Sequence, residues 1–213
     1  SEHIDLLDIE GVNDENVVHG TNADYKVLIN YLETQEMNDP IVENTLDNWI
    51  DIESYMSYQA FQIFIDNRDW PGNNIKFWRD HRVGGKWRWI LYDTDFGFGI
   101  WDQYAYTFNT LGFALDPNGP GWPNPPWSTF VFRKLIENEN FQNLFINVYC
   151  DMLNTVLLPE FLTTRLDSIS GNIEEMIPAH QVRRPNSATN WENRLNGMEN
   201  FANQRRNYAI MHL

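Results

Sequence analysis

The sequence predicts a mostly helical α+β domain that contains one small β-hairpin, and two observations support this fold class. The stretches IKFWRD and KWRWILYD are rich in aromatic and β-branched residues and flank Val83-Gly84-Gly85, which is typical of two antiparallel strands joined by a turn. After residue 128, apolar residues recur at helical spacing over roughly 129–137, 140–157, 160–177 and 190–211. A hairpin in one part of the chain and helices in another are typical of an α+β domain.

Two further helices are predicted before the hairpin. Residues 25–36 (YKVLINYLETQE) carry apolar side chains at helical spacing. A second helix is predicted from Asp51, a suitable N-cap, to about Ile65, and it would present Asn67 and Asp69 at its C-terminal end. Residues 1–24 predict an irregular or strand-like lead-in. The Gly-, Pro- and aromatic-rich residues 96–127 predict a long ordered loop.

Size and charge limit the kinds of partner. The 213 residues, 42% of them apolar, fit a single domain over residues 1–213 with a substantial core. The formal net charge of -15 disfavours nucleic acids and anionic lipid surfaces as partners. Divalent cations can bridge a phosphorylated small molecule to carboxylates, so this charge does not exclude nucleotides. No run of 18 apolar residues occurs, and we therefore predict no membrane span in this chain.

Two separated stretches carry residues suited to phosphoryl transfer. This reaction needs divalent metal held by carboxylate and amide oxygens, and a further carboxylate that orients the attacking hydroxyl. Protein kinases place an Asp in a catalytic loop, an Asn five residues later, a strand pair, and then a metal-binding Asp in Asp-Phe-Gly. This chain has Asp69, then Asn74, then the predicted hairpin, then Asp95-Phe96-Gly97. Asp69 is thus a candidate base and Asn74 a candidate ligand.

Asp93 and Asp95 form a second feature of this region. Side chains two residues apart on an extended backbone point to the same side, so these carboxylates would repel each other. A divalent cation beside them would keep both ionised. The alternative is a solvated strand end in which one Asp caps a turn. The nearby Asn67, Asp69 and Asn74 favour metal binding over this alternative, although the asparagines could also form a purely structural turn.

The run YMSYQAFQIFIDNRDWPGNNIKFWRDHRVGGKWRWILYDTDFGFG resembles the core of the CotH kinase family, the spore coat protein H type of atypical protein kinases. The stretches FRKLIENENFQNLFINVYCDMLN and NWENRLNGMENFANQRRNYA resemble the C-terminal segment of that family. The likeness runs from about residue 15 to the end. It implies a kinase-like C-terminal lobe with a C-terminal helical bundle. It also implies an ATP-dependent phosphotransferase that acts on Ser/Thr hydroxyls of a protein substrate.

The resemblance also implies roles for individual residues. The Asn-x-Asp motif falls on Asn67 and Asp69, the downstream Asn on Asn73 or Asn74, and the motif Trp/Tyr-Asp-x-Asp on Asp93 and Asp95. Asp69 would serve catalysis. Asn67, Asn74 and Asp95 would bind ATP, whereas Asn74, Asp93 and Asp95 would hold Mg²⁺ or Mn²⁺. A bacterial source and an extracytoplasmic, cell-surface or spore-coat location are suggested by the resemblance alone.

One departure from the kinase pattern concerns the nucleotide phosphates. Kinases use a phosphate-covering loop and a Lys in an N-terminal lobe, whereas only 68 residues precede Asp69 here and Lys26 is their sole lysine. We interpret Lys26 as a solvated charge on a helix. The chain is therefore expected to be the C-terminal portion of a larger protein, with its nucleotide-gripping N-terminal part missing. Such a fragment would bind metal weakly and transfer phosphate poorly or not at all.

A different class of function is compatible with the aromatic residues of the long loop. Trp101, Tyr104, Tyr106, Trp122 and Trp127 could stack on sugar rings, which would suit a carbohydrate-binding or other non-catalytic cell-surface interaction module. A kinase-like core that serves only as a scaffold is a further possibility. Thermal stabilisation by Mg-ATP would favour the kinase hypothesis, and stabilisation by oligosaccharides without metal would favour the alternative.

Overall fold

A computed structural model describes residues 2–9, 15–82, 84–185 and 190–213 and confirms a mostly helical α+β fold. One four-stranded antiparallel sheet packs against helices. The strands are β1 (Ile4–Ile9), β2 (Asn16–His19), β3 (Ile75–Asp80) and β4 (Arg88–Ile90). The α-helices are α1 (Ala23–Thr34), α2 (Pro40–Trp49), α3 (Ile52–Ile65), α4 (Thr110–Leu115), α5 (Phe130–Ile136), α6 (Glu139–Leu153), α7 (Pro159–Ile173), α8 (Ile177–Arg183) and α9 (Trp191–His212). Single 3₁₀ turns cover Ala105–Thr107 and Glu174–Met176.

The predicted hairpin is present as β3 and β4, at one edge of the sheet order β2-β1-β3-β4. Phe77 pairs with Trp89 across it. Of the predicted turn, Val83 lies outside the described residues. Gly84 has a φ of +82°, which favours glycine, and a Cβ atom at Gly85 would lie 1.5 Å from the Asp80 carbonyl oxygen. The turn therefore requires both glycines.

The N-terminal lead-in is more regular than the irregular segment expected over residues 1–24. β1 is an interior strand that pairs with β2 on one side and β3 on the other. Leu7 lies opposite Phe77, and both side chains are fully buried. The strand-like alternative is thus the correct one for residues 4–9 and 16–19. The acidic character of this segment obscured the alternation, since Asp5 and Asp8 are themselves buried.

Helix α3 forms the centre of the fold and ends at the predicted site. Asp51 caps its first turn by accepting a hydrogen bond from the Ser54 amide at 3.3 Å, as predicted. Ten of its 14 residues are buried, because the helix packs against both β4 and α6. Its C-cap, Asp66, adopts a left-handed conformation with a φ of 50°, which ends the helix and turns the chain toward Asn67.

Other helices depart from the prediction in number or length. α2 was not predicted, although Asp39 caps it through the Ile41 amide and Pro40 occupies its first position. α4 lies inside the predicted long loop. The single helix expected over 160–177 ends earlier, because the 3₁₀ turn at 174–176 separates α7 from α8. Within the described ranges, we find no helix with the length and apolar character that a membrane crossing needs.

Candidate active site

The chain after α3 and the chain after β4 meet through two backbone hydrogen bonds. The Arg68 amide donates to the Phe96 carbonyl at 3.3 Å, and the Phe98 amide donates to the Ile65 carbonyl at 2.8 Å. Gly97 lies between these contacts, where a Cβ atom would come within 3.0 Å of Ile65 Cδ1. A glycine at this position therefore allows the two segments to approach closely.

Asp69 and Asn74, the candidate base and the candidate ligand, are in direct contact. The Asn74 side-chain amide donates to Asp69 Oδ2 at 3.1 Å, and both side chains are half-buried. The Asn73 amide donates to the Asp69 carbonyl at 3.0 Å, which closes the intervening turn. Asn74 has a φ of 55°. This left-handed conformation is uncommon outside glycine and occurs often at functional sites.

Asn67 is buried, and both ends of its side-chain amide are bonded within the protein. Its Oδ1 accepts from the Asp69 amide at 3.1 Å, and its Nδ2 donates to Gln62 Oε1 at 2.9 Å. Gln62 in turn donates to the Tyr58 hydroxyl at 3.3 Å. A chain of hydrogen bonds thus runs from the interior of α3 to the backbone of Asp69. Asn67 is placed to orient the loop, whereas the resemblance implied that it binds the cofactor.

Asp93 and Asp95 lie at the surface beside this loop. The extended backbone expected between them is wrong, since β4 ends at Ile90 and Asp93 has a φ of 49°. The two carboxyl groups are nevertheless close. Local desolvation raises the pKa of Asp95, and the charge of Asp93, a hydrogen bond with Asp93 and the charge of Asp69 raise this pKa further. Asp95 is therefore exposed to the negative charge of Asp93 in its own segment and to that of Asp69 in the other segment.

A buried ionic network supports the same loop from behind. Asp66 accepts from Arg68 Nε at 2.8 Å and from the Thr110 hydroxyl at 2.9 Å. Burial raises the pKa of Asp66 despite the opposing effects of Arg68, Thr110 and Arg205. Arg205, on α9, donates five hydrogen bonds, to the carbonyls of Ile63, Phe64, Tyr106 and Phe108 and to the Thr110 hydroxyl. The arginine therefore fastens α9 to the end of α3.

Arg68 is directed away from the carboxylates of the site. Its guanidinium lies 4.2 Å from the centre of the Phe108 ring and pairs with Asp66. The charge of Arg68 is therefore part of the supporting network, and among the described residues Arg68 forms no ion pair with Asp69 or Asp95.

The residues suit a hard divalent cation in part. Carboxylate and amide oxygens are the ligands that Mg²⁺ and Mn²⁺ prefer, and a cation would offset the charge that raises the pKa of Asp95. In the ranges that the structure describes, no group of three or more His, Cys, Asp or Glu side chains is arranged to hold a metal alone. Mg²⁺ usually keeps several waters and takes ligands from substrate phosphates, so one or two carboxylates suffice.

The loop aromatics that suggested carbohydrate binding are divided between surface and interior. Trp101, Tyr104 and Trp122 are 63%, 59% and 50% exposed. Trp127 and Tyr106 pack partly against the core. Trp101 also contacts Phe96, with ring centres 5.0 Å apart. Three of the five aromatic residues are therefore free to meet a ligand.

Gln62, Thr110 and Arg205 were not identified from the sequence. Gln62 lies on the buried side of α3, and a glutamine among apolar positions of a predicted helix is the signal that could have revealed it. Arg205 follows Thr110 by 95 residues, and no local pattern connects them. Buried polar groups need partners, but sequence alone does not name a partner that distant.

The comparisons with known proteins agree with the resemblance noted in the sequence. A search of the curated proteins gave no match. A family model described as CotH kinase protein matches residues 3–209. The matched range is nearly the whole chain and includes both segments of the site. The chain belongs to the CotH kinase protein family.

Proposed function

We propose that this domain takes part in the transfer of a phosphoryl group from ATP to a Ser/Thr hydroxyl of a protein substrate, with Mg²⁺ or Mn²⁺. Asp69 orients the acceptor hydroxyl and accepts its proton. Asn74, Asp93 and Asp95 supply oxygen ligands for the metal, and Asn74 and Asp95 lie beside the nucleotide phosphates. Asn67 contributes to the cofactor site indirectly, because its Oδ1 accepts a hydrogen bond from the Asp69 amide and so positions the Asp69 backbone.

The observation that supports this proposal most strongly is that the segment of Asp69 and Asn74 lies against the segment of Asp95. Asn74 bonds the Asp69 carboxylate at 3.1 Å, and the Asp69 charge contributes to the raised pKa of Asp95 from the other segment. Two backbone hydrogen bonds join the segments: the Arg68 amide donates to the Phe96 carbonyl, and the Phe98 amide donates to the Ile65 carbonyl. Family membership over residues 3–209 supports a kinase-like function for this arrangement.

When bound, the metal would neutralise charge on the transferring phosphoryl group. The protein side chains would position the reacting groups. The hydrogen-bond chain from Tyr58 through Gln62 and Asn67 fixes the Asp69 backbone. Asn74 limits rotation of the Asp69 carboxylate while leaving its other oxygen available to an acceptor hydroxyl. Precise placement of this kind lowers the barrier to reaction.

Binding of the nucleotide phosphates requires further groups, such as the lysine and the phosphate-covering loop of kinases. Lys26, considered for this role in the sequence, is 62% exposed and pairs with Glu15 at 3.8 Å, which suits a surface charge. We therefore extend the proposal: a part of the natural protein outside these residues completes the nucleotide site. The chain alone should then bind metal weakly and show little or no transfer.

Metal titration tests the site without requiring activity. Mn²⁺ added to the isotope-labelled chain should broaden the NMR signals of residues 69, 74 and 93–97. Asp95→Asn should weaken this binding by about tenfold or more, because it removes a charged ligand. Asp167→Asn, on the exposed α7, changes the net charge equally and should leave binding unchanged. Broadening that is unaffected by Asp95→Asn would contradict the metal assignment.

Transfer is tested by incubating radiolabelled ATP and Mg²⁺ or Mn²⁺ with this chain and with the longest natural form of the protein. Incorporation of label by the longer form, and its loss in both Asp69→Ala and Asp95→Ala with the fold intact, is the expected result. Label that persists in both variants would reject the assigned roles.

The exposed Trp101, Tyr104 and Trp122 favour a second candidate, a carbohydrate-binding surface module. Oligosaccharides should then raise the melting temperature in the presence of a metal chelator, and Trp101→Ala should abolish this effect. Stabilisation by Mg-ATP but not by oligosaccharides would reject this candidate.

A further inference from the structure

A cavity of about 400 Å³ lies against the sheet, and the side chains proposed for phosphoryl transfer, at residues 67, 69, 74, 93 and 95, are not part of its lining. Its walls come from α1, α3, the strands β3 and β4, and residues 126–133. Tyr55, Tyr58, Trp70 and Phe77 line its interior and are each no more than 6% exposed. This volume falls in the lower part of the range of small-molecule sites.

One polar atom in this aromatic wall has no hydrogen-bond partner among the described residues. Gln59 lines the cavity and is 5% exposed; its side chain forms a hydrogen bond with Tyr55, but its Oε1 accepts none from the residues that the structure describes. Glu15, at the cavity, also has an oxygen without a hydrogen bond, although Lys26 lies 3.8 Å away. A buried acceptor left without a donor has an unfavourable desolvation cost. A ligand that carries a donor would remove this cost.

Two of the donors at the cavity are already engaged within the protein. The Ser128 hydroxyl donates to Asn124 Oδ1 and to the Pro125 carbonyl. Arg133 donates to the Thr129 hydroxyl and the Pro126 carbonyl, and burial lowers its pKa. The cavity presents aromatic rings, the acceptor Gln59 Oε1 and two acidic residues, Glu15 and Glu33. This chemistry disfavours an anion such as a nucleotide phosphate.

We propose that this cavity binds a planar aromatic molecule of one or two rings that carries an N–H or O–H donor. The rings would pack against Tyr55, Tyr58 and Trp70, and the donor would bond Gln59 Oε1. Trp70 and Ile75 immediately follow Asp69 and Asn74 in sequence, so the ligand would lie behind the proposed active site. The proposal does not depend on phosphoryl transfer.

Indole and indene provide a matched pair of probes, because they share a shape and only indole has an N–H donor. Both are titrated into the isotope-labelled chain and followed by NMR shifts. Indole should bind saturably with shifts confined to the cavity lining, and indene should bind about threefold to tenfold more weakly, the value of one hydrogen bond to a neutral group. Absence of saturable indole binding, or equal binding of both probes, would overturn the proposal.

Two substitutions in the cavity lining test whether indole binds there and whether Gln59 accepts its hydrogen bond. Gln59→Met should remove the preference for indole, whereas the exposed Gln204→Met on α9 should retain it. Val131→Trp, which fills the cavity, should abolish binding of both probes. If Val131→Trp does not fold, contacts between indole protons and the rings of Tyr58 or Trp70 in nuclear Overhauser spectra decide the matter. Indole contacts found only elsewhere would reject the cavity as the site.

Discussion

Helices α3 and α7 are nearly equal in length but differ completely in burial. α3 has 14 residues, ten of them buried, whereas none of the 15 residues of α7 is buried. Ile169 of α7 is 63% exposed, and Ile63 of α3 is 1% exposed. Packing on several sides fixes α3 and the loop that follows it. Asp69 and Asn74 of the candidate active site thus follow a helix that is buried on several sides, which suits a site that needs exact geometry.

The largest difference in stability between the two regions is expected for two arginine substitutions. Arg205→Met removes five hydrogen bonds, two of them to carbonyls at the end of α3 and three to residues 106–110, and leaves buried acceptors without donors. We expect the free energy of unfolding to fall by about 3–5 kcal/mol. Arg165→Met, on α7, removes only an exposed contact with Phe161 and should cost about 0–1 kcal/mol. Urea denaturation measures both values, and similar losses in the two variants would invalidate the contrast.

The same comparison can be made with isoleucines. Ile63→Ala deletes three buried carbon atoms in α3 and should cost about 2–5 kcal/mol, since a cavity remains. Ile169→Ala, at an exposed helical position of α7, should change stability by no more than about 0.5 kcal/mol. Chemical denaturation again supplies the measurement. A cost for Ile169→Ala near that of Ile63→Ala would mean that α7 is covered in solution.

A smaller effect is expected within the polar chain that orients Asp69. Gln62→Leu removes the acceptor of the buried Asn67 side-chain amide and should lower the free energy of unfolding by about 1–3 kcal/mol. The amide protons of Asn67 and Asp69 should shift in NMR spectra, because the loop loses its link to α3. Gln204→Leu, at an exposed position, serves as control and should leave both signals in place.

The elements that the sequence predicted well are those with strong local signals. Asp51 with the apolar pattern after it defined α3, and the glycine pair between two aromatic strands defined the hairpin. The order Asp69, Asn74 and Asp95 likewise identified segments that the fold brings together. β1 was missed as a regular strand because buried Asp5 and Asp8 hide its apolar alternation.

Long-range polar contacts account for the remaining differences. Thr110 bonds Asp66 across 44 residues, and Arg205 bonds Ile63 across 142. Neither partner can be deduced from local spacing. The approach of Asp93 to Asp95 was expected from an extended strand, but a left-handed residue produces it instead. Local patterns therefore indicated the two segments that the fold brings together, while distant contacts set how these segments are held.

The smallest predicted effect concerns pH and the buried Asp66. Burial raises the folded-state pKa of Asp66 above its ordinary value, so folding favours the protonated carboxyl group. The resulting stability is fully present below the unfolded-state pKa and is lost as pH rises through the folded-state pKa. Asp66→Asn has no carboxyl group to titrate at this position. The free energy of unfolding of the natural chain minus that of Asp66→Asn should therefore fall as the pH rises above the ordinary Asp pKa of about 3.9.

Urea denaturation of both proteins at half-unit pH steps measures this difference, in which the titration of other groups largely cancels. The carbon-13 shift of the Asp66 carboxyl group provides an independent readout of the same pKa. A difference that rises with pH would show that the ion pair with Arg68 outweighs burial, since a lowered pKa gives the opposite sign. Asp66 would then stabilise the loop as an ion at neutral pH, and the end of α3 would depend on Arg68 as much as on Arg205.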